Sequence, residues 1–300
     1  MEYSCFIKKS AINFYLDQEI KFYSMDSIQR QPIRIAVLDL YDGVANQGMR
    51  GIRETLQRFY KNLATEISWD EFNVRQKNEI PDLSYDVFIS SGGPGSPLEN
   101  KNSEWEASYF KWLQQIEQWN KEDKNTRKKY IFFICHSFQL ACRYFKIGNL
   151  CKRKSTAFGI FPIHLLSIGK DEPVFNEMQD PFYAVDSRDY QVIEPNHQQI
   201  ESIGASILAI EKERPQVLLE RAVMAIRFNE YMIGTQFHPE ADAPGMSLYL
   251  QTDEKKKTVI ENYGLQKWEQ MITHLNDPDK ISFTYSHILP NFLSIASIQL

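Results

Sequence analysis

Three short segments carry residue types that could together break a carbonyl bond. Cys135 stands directly after the apolar run Tyr130-Ile131-Phe132-Phe133-Ile134 and before helical spacing through Phe138, Leu140, Ala141, Tyr144 and Phe145. A sulfur at that junction meets the positive end of a helix dipole and free N–H groups, which favour thiolate. The position equally suits a small buried apolar residue. Cys142, on the same helical face, is expected to be packing only. In Gly234-Thr235-Gln236-Phe237-His238-Pro239-Glu240 a strand runs into a histidine and then a carboxylate. Side chains two apart on an extended chain point the same way, so Glu240 can orient the imidazole of His238. That imidazole could take the thiol proton and return it to a leaving group; a loop histidine beside a surface acid is the plainer alternative. Gly92-Gly93-Pro94-Gly95 lacks side chains where backbone amides could approach a developing oxyanion.

These segments need a scaffold, and the surrounding pattern supplies one. Ile33 to Leu40 is a near-continuous apolar run, as in a strand buried on both faces of a parallel sheet. After the turn Tyr41-Asp42-Gly43, the residues Met49, Ile52, Leu56, Phe59 and Leu63 recur at helical spacing. Tyr85 to Ser90 is the next strand and runs into the glycine loop. Ser103 and Glu106 form a capping-box pattern ahead of a helix through Trp105, Tyr109, Trp112, Leu113 and Ile116. Lys121 to Lys129 reads as a charged, solvated turn before the strand that ends at Cys135. Alternating strands and helices predict an α/β fold, a doubly wound, mostly parallel sheet with flanking helices in three flavodoxin-like layers. Its ligands bind beyond the carboxyl ends of the strands.

From Thr156 to Glu240 the pattern changes to short β segments: Phe158–Leu166, Phe182–Val185, Val217–Phe228 and Tyr231–Phe237, the last two joined by a turn at Asn229-Glu230. Asp253 to Leu300 reads as helical, with a solvated Lys255-Lys256-Lys257 run. The expected division is an N-terminal appendage over residues 1–30, a main domain over 31–245, and a C-terminal helical extension over 246–300 packed on it.

Composition narrows the classes. The 300 residues carry 34 Lys and Arg against 39 Asp and Glu, a net charge of -5, so no global positive field attracts nucleic acid or an anionic membrane. Neither is expected as a partner. The four cysteines form no paired framework and no zinc spacing, which suits a reducing cytoplasm. Met1 to Ser24 is interrupted by Lys8, Lys9, Asp17, Glu19 and Lys21 and does not read as a signal peptide. No metal cluster and no phosphate-cradling loop is apparent, so no metal and no cofactor is expected.

The loop Ser90-Ser91-Gly92-Gly93-Pro94-Gly95-Ser96-Pro97, the strand leading to Cys135-His136-Ser137-Phe138-Gln139, and Gln236 to Glu240 occur in an order that resembles the class I glutamine amidotransferase (GATase1-like) family. The match spans about Ile33 to Glu240. The resemblance implies a Cys-His-Glu triad of Cys135, His238 and Glu240 that forms an acyl thioester with glutamine. It also implies oxyanion donors among Gly92, Gly93 and His136, and Gln139 holding the amino-acid end of the substrate. Asp186-Ser187-Arg188-Asp189 is similar to a family segment at the glutamine site, which adds Ser187 and Arg188, the latter in place of a usual histidine. A separate synthetase or acceptor subunit is implied too, because only about 60 residues follow Glu240, short of a typical domain. The chain departs from the family elbow, Gly-x-Cys-x-Gly-x-Gln, at Phe133 and Ser137. A side chain at Ser137 is expected to crowd the helix or the substrate.

A sister group shares the triad. Homoserine O-acyltransferases, which take an acyl-CoA donor, look similar through Phe133-Ile134-Cys135, Phe158-Gly159-Ile160-Phe161, Phe182-Tyr183-Ala184 and His238-Pro239-Glu240-Ala241-Asp242. The lysine-rich loop expected of them is missing from Asp42 to Gln47. A third reading is a relative that binds or regulates without turnover.

Overall fold

The computed structural model describes residues 31–61, 66–99, 101, 103–277 and 280–300. Pro32–Leu300 forms one compact unit, and the description concerns that unit. The expected appendage over residues 1–30, the reading of Met1 to Ser24 and the helical position of Leu63 lie outside the described residues.

Among the described residues nine strands form a single sheet: β1 (Ile33–Asp39), β2 (Ile67–Asn73), β3 (Val87–Ser90), β4 (Tyr130–Ile134), β5 (Asn149–Leu165), β6 (Phe182–Ile193), β7 (Ser206–Glu211), β8 (Val223–Asn229) and β9 (Met232–Thr235). Their order is β2-β1-β3-β4-β9-β8-β7-β5-β6. The first five in that order run parallel, and the rest pair antiparallel. The helices are α1 (Gly48–Lys61), α2 (Val74–Lys77), α3 (Glu104–Lys121), α4 (His136–Tyr144), α5 (Ser167–Lys170), α6 (His197–Ser202), α7 (Ala243–Gln251), α8 (Asp253–Tyr263), α9 (Leu265–Leu275) and α10 (Ile281–Gln299). This is the α/β architecture expected, a curled sheet with a parallel core between helices.

Burial follows from pattern. Every residue of β3 and β4 is buried, as continuous apolar runs require when helices cover both faces. One face packs on α1 and α10, where Phe132 meets Phe292 edge-on at 5.2 Å. The other packs on α3 and α4, with Phe88 against Trp112. The antiparallel half then curls back. Although β6 is last in strand order, Val185 bridges His238, just beyond β9, and the His238 N–H donates to the Val185 carbonyl at 2.9 Å. That curl turns an open sheet into a cup over the carboxyl ends of β1, β3, β4 and β9.

Several local expectations change. The half-polar edge strand β2 carried no apolar run to announce it. β5 and β6 are long, with a register shift between Lys152 and Ala157, whereas short segments were expected; β8 begins at Val223, not Val217. The Lys121–Lys129 turn is not wholly solvated. Arg127 and the buried Lys129 both reach Asp86, at 2.7 and 3.5 Å, and so tie the turn to the start of β3. Glu106 is buried and pairs with Arg143 on α4 instead of closing a capping box. The division expected at 245/246 falls inside α7. Among the described residues no helix is long and apolar enough to cross a membrane.

Candidate active site

Four loops leave the parallel strands on the same edge, and each brings one component to a common cavity. The first is a thiol. Between β4 and α4 the chain reverses so sharply that Cys135 takes φ 48° and ψ -95°, in a region that non-glycine residues rarely occupy. Its N–H is held by the Thr235 carbonyl at 2.8 Å, and its own carbonyl accepts the Gln139 N–H at 3.0 Å. The strained corner is therefore pinned to β9 on one side and to α4 on the other, and its side chain is turned into the cavity.

The second component is the pair after β9. His238 Nδ1 lies 2.8 Å from Glu240 Oε1. Glu240 is fully buried, and its Oε2 has no hydrogen-bond partner among the described residues. Burial alone would lower the pKa of His238; the Glu240 charge, then the adjacent Cys135 sulfur, lift it well above the ordinary histidine value. With Nδ1 occupied by Glu240, Nε2 is the nitrogen left to serve the thiol.

Close approach explains the glycines. A Cβ on Gly92 would fall 2.9 Å from His238 Cε1 and 3.6 Å from Cys135 Cβ, so any other residue there would push the imidazole away from the sulfur. A Cβ on Gly48 would collide with the Tyr41 hydroxyl and come within 3.1 Å of Glu240 Oε1. Gly93 and His136 both line the cavity beside Cys135. The His136 imidazole itself is buried without a partner for Nε2 among the described residues, and burial, then Arg75 and Arg143, push its pKa down to about 3. The ring is thus neutral at ordinary pH.

Three further residues were not expected at the site. Tyr41 packs its hydroxyl between Gly48 and Gly92; burial, then the charges of Glu240 and Cys135, raise its pKa well above that of a free phenol. Gln236 Nε2 donates to Cys135 Sγ at 3.6 Å, and its Oε1 accepts from Gln139 Nε2 at 2.9 Å. Gln139 also donates to the Tyr190 carbonyl at 3.2 Å, which links β6 through two amides to the thiol. Arg50 pairs with Asp242 at the rim.

Both departures at the elbow are absorbed. Phe133 lies opposite Gly234 in the β4–β9 register, where a Cβ on Gly234 would sit 2.9 Å from Phe133 Cβ; the missing glycine of one strand is matched by a glycine on its neighbour. Ser137 does not crowd the cavity. Its hydroxyl turns inward, donating to the Ser90 carbonyl at 2.7 Å and accepting the Ile134 N–H at 2.8 Å.

Ser187 is exposed at the cavity, and its carbonyl accepts from Cys135 Sγ at 3.6 Å. Arg188 borders the cavity, but its guanidinium is bound by Asp186 through Nε at 3.0 Å and reaches Glu211 on the far side of β6. The cavity measures about 340 Å³, a size that takes a small molecule, and Phe158, Met246 and Tyr249 form its apolar wall. Among the described residues no group of three or more His, Cys, Asp or Glu could hold a metal ion.

The sequence model of the family described as Glutamine amidotransferase class-I matches residues 36–250. No curated protein matches the chain. Among solved structures, a glutamine amidotransferase from Thermotoga maritima superposes with a TM-score of 0.62 at 14% identity, over 88% of this chain and 98% of that one. The protein SMU.1228c gives 0.58 at 19% identity, over 88% and 100%. A glutamine amidotransferase from Methylobacillus flagellatus gives 0.56 at 11%, over 88% and 94%. At such identities the structural likeness is one of fold.

Proposed function

This chain belongs to the class I glutamine amidotransferase family, and from that premise we propose that it hydrolyses the side-chain amide of glutamine through a γ-glutamyl thioester on Cys135. The observation that carries the reading is the strained Cys135 elbow facing an imidazole whose far nitrogen is held by a buried carboxylate at 2.8 Å.

The proposed steps use these residues in turn. His238 accepts the thiol proton, and the Cys135 sulfur bonds to the amide carbon, placing negative charge on the carbonyl oxygen. The N–H groups of Gly93 and His136 take that oxyanion. The tetrahedral adduct collapses as His238 returns its proton to the nitrogen, the C–N bond breaks, and ammonia leaves. A water, deprotonated by His238, then cleaves the thioester to glutamate and regenerates the thiol. Glu240 holds the ring and stabilises its protonated form. Gln139, anchored through Gln236 and β6, and the Ser187 edge hold the amino-acid end of the substrate. The reading includes a synthetase or acceptor subunit that receives the ammonia.

The test asks which donor loads Cys135. Intact mass spectrometry of His238→Asn, in which deacylation is slowed, follows separate mixing with glutamine, acetyl-CoA and succinyl-CoA. A glutamyl adduct absent from the Cys135→Ala chain is expected. An acetyl or succinyl adduct would replace this reading with acyl transfer, and no adduct from any donor, in this variant and in the unmodified chain, would overturn it.

A further inference from the structure

Behind the wall formed by β5 and β6 lies a second cavity, of about 310 Å³. The alternation of β6 divides the two: Val185 and Ser187 face the thiol cavity, while Asp186 lines the second. Its floor is an ion network of Asp186, Glu211, Arg153 and Arg214, joined from outside the lining by the buried Arg188. Arg188 binds both oxygens of Asp186 at 3.0 Å and approaches Glu211 at 3.1 Å; Arg153 lies 3.1 Å and Arg214 2.9 Å from the same Glu211. Three guanidinium groups thus share two carboxylates.

Above that floor two more cations converge. Lys212, after β7, and Lys267, on α9, bring their ammonium groups to 4.6 and 4.8 Å from the centroid of the Phe161 ring. Among the described residues neither forms an ion pair with a carboxylate, and the nearby Glu213 is exposed. Burial, then the charge of Lys212, hold Lys267 below the ordinary lysine value. Two like charges held together over a surplus of arginine, on a chain of net charge -5, call for an anion of more than one negative charge.

We propose that this cavity binds a phosphate-bearing small molecule, its anionic group between Lys212 and Lys267 and its remainder against Phe161 and Tyr263. The site stands independently of the thiol chemistry, and only the β5–β6 wall, bordered on both sides by Thr156 and Phe158, separates them.

Titration calorimetry of the full chain with inorganic pyrophosphate at constant ionic strength is the test, paired with acetylation footprinting read by mass spectrometry. Saturable binding of one pyrophosphate is expected, weakened at least about tenfold in Lys212→Gln/Lys267→Gln and retained in both Lys212→Arg/Lys267→Arg and Cys135→Ala. Pyrophosphate should protect Lys212 and Lys267 from acetylation in the unmodified chain, a reading that does not depend on how the variants fold. No saturable binding, undiminished binding in the glutamine double variant, loss of binding in Cys135→Ala, or acetylation of both lysines unaffected by pyrophosphate would overturn the proposal.

Discussion

Cys135 and Cys142 stand at the two ends of the same helix and are almost equally buried, with 5% and 1% of their surface exposed. Their surroundings are nevertheless opposite. Cys142 lies in the apolar layer between α3, α4 and the sheet, where burial alone pushes its thiol well above the ordinary value. Cys135 has a positive φ, a side chain turned to a cavity, and His238, Gln236 and the Ser187 carbonyl around its sulfur. Burial does not separate the packing cysteine from the proposed nucleophile. The backbone corner and the polar neighbours do.

The largest expected effect tests that contrast directly. Cys135→Ala should lower glutamine turnover by about 10⁴-fold or more, as removal of a nucleophile does, whereas Cys142→Ala should leave it within about twofold. Ammonia release measured on both variants decides, and equal losses would break the comparison. Next comes the partner that only Cys135 has. Glu240→Gln keeps the shape but removes the charge that orients and stabilises the imidazolium. A fall in kcat of about 10² to 10⁴ is expected, with little change in KM. Full turnover in that variant would detach Glu240 from the reaction.

The sequence carried these components because buried parallel strands are continuous apolar runs, and in this fold the chemistry begins where such runs stop. Ile134-Cys135 and Phe237-His238 both mark that stop. Edge strand β2 has no such run; three of its seven residues are exposed, and its alternation with acids hid it. Tyr41 carried no local signal, and Gln236 only its place in the segment ahead of His238, since each acquires its role only when the carboxyl end of another strand arrives beside it. Arg188 shows the limit of spacing without phase. Its neighbour Ser187 faces the thiol, so the arginine, one residue on, sends its guanidinium to the opposite side. The curl that returns β6 to His238 is a long-range register, and no window of sequence contains it.

The next effect concerns pH and the helix end that Cys135 caps. Folding lowers the pKa of His136 from its unfolded value near 6.5 to about 3, so the ring contributes stability above about pH 6.5 that is lost as pH falls towards the folded value. Between pH 6.5 and 4 this group should cost the chain at most about 3 kcal/mol, from about 1.4 kcal/mol per unit. Urea unfolding at the two pH values should show a smaller loss in His136→Gln, whose side chain cannot titrate. An identical loss in both proteins would place the acid sensitivity elsewhere.

The smallest effect separates packing from chemistry within the elbow itself. Ser137 occupies a position where the family pattern has glycine, and its hydroxyl links the Ser90 carbonyl to the Ile134 N–H beneath the strained turn. Ser137→Gly removes both bonds, leaves a buried N–H without that acceptor, and places glycine in the first turn of α4. A loss of about 2 kcal/mol in unfolding free energy is expected. Because the hydroxyl points away from the cavity, the KM for glutamine should not change, even though the variant restores the family residue. A KM that fell several-fold would mean that Ser137 does crowd the substrate, and the two ends of α4 would then differ by one more steric term than the structure assigns.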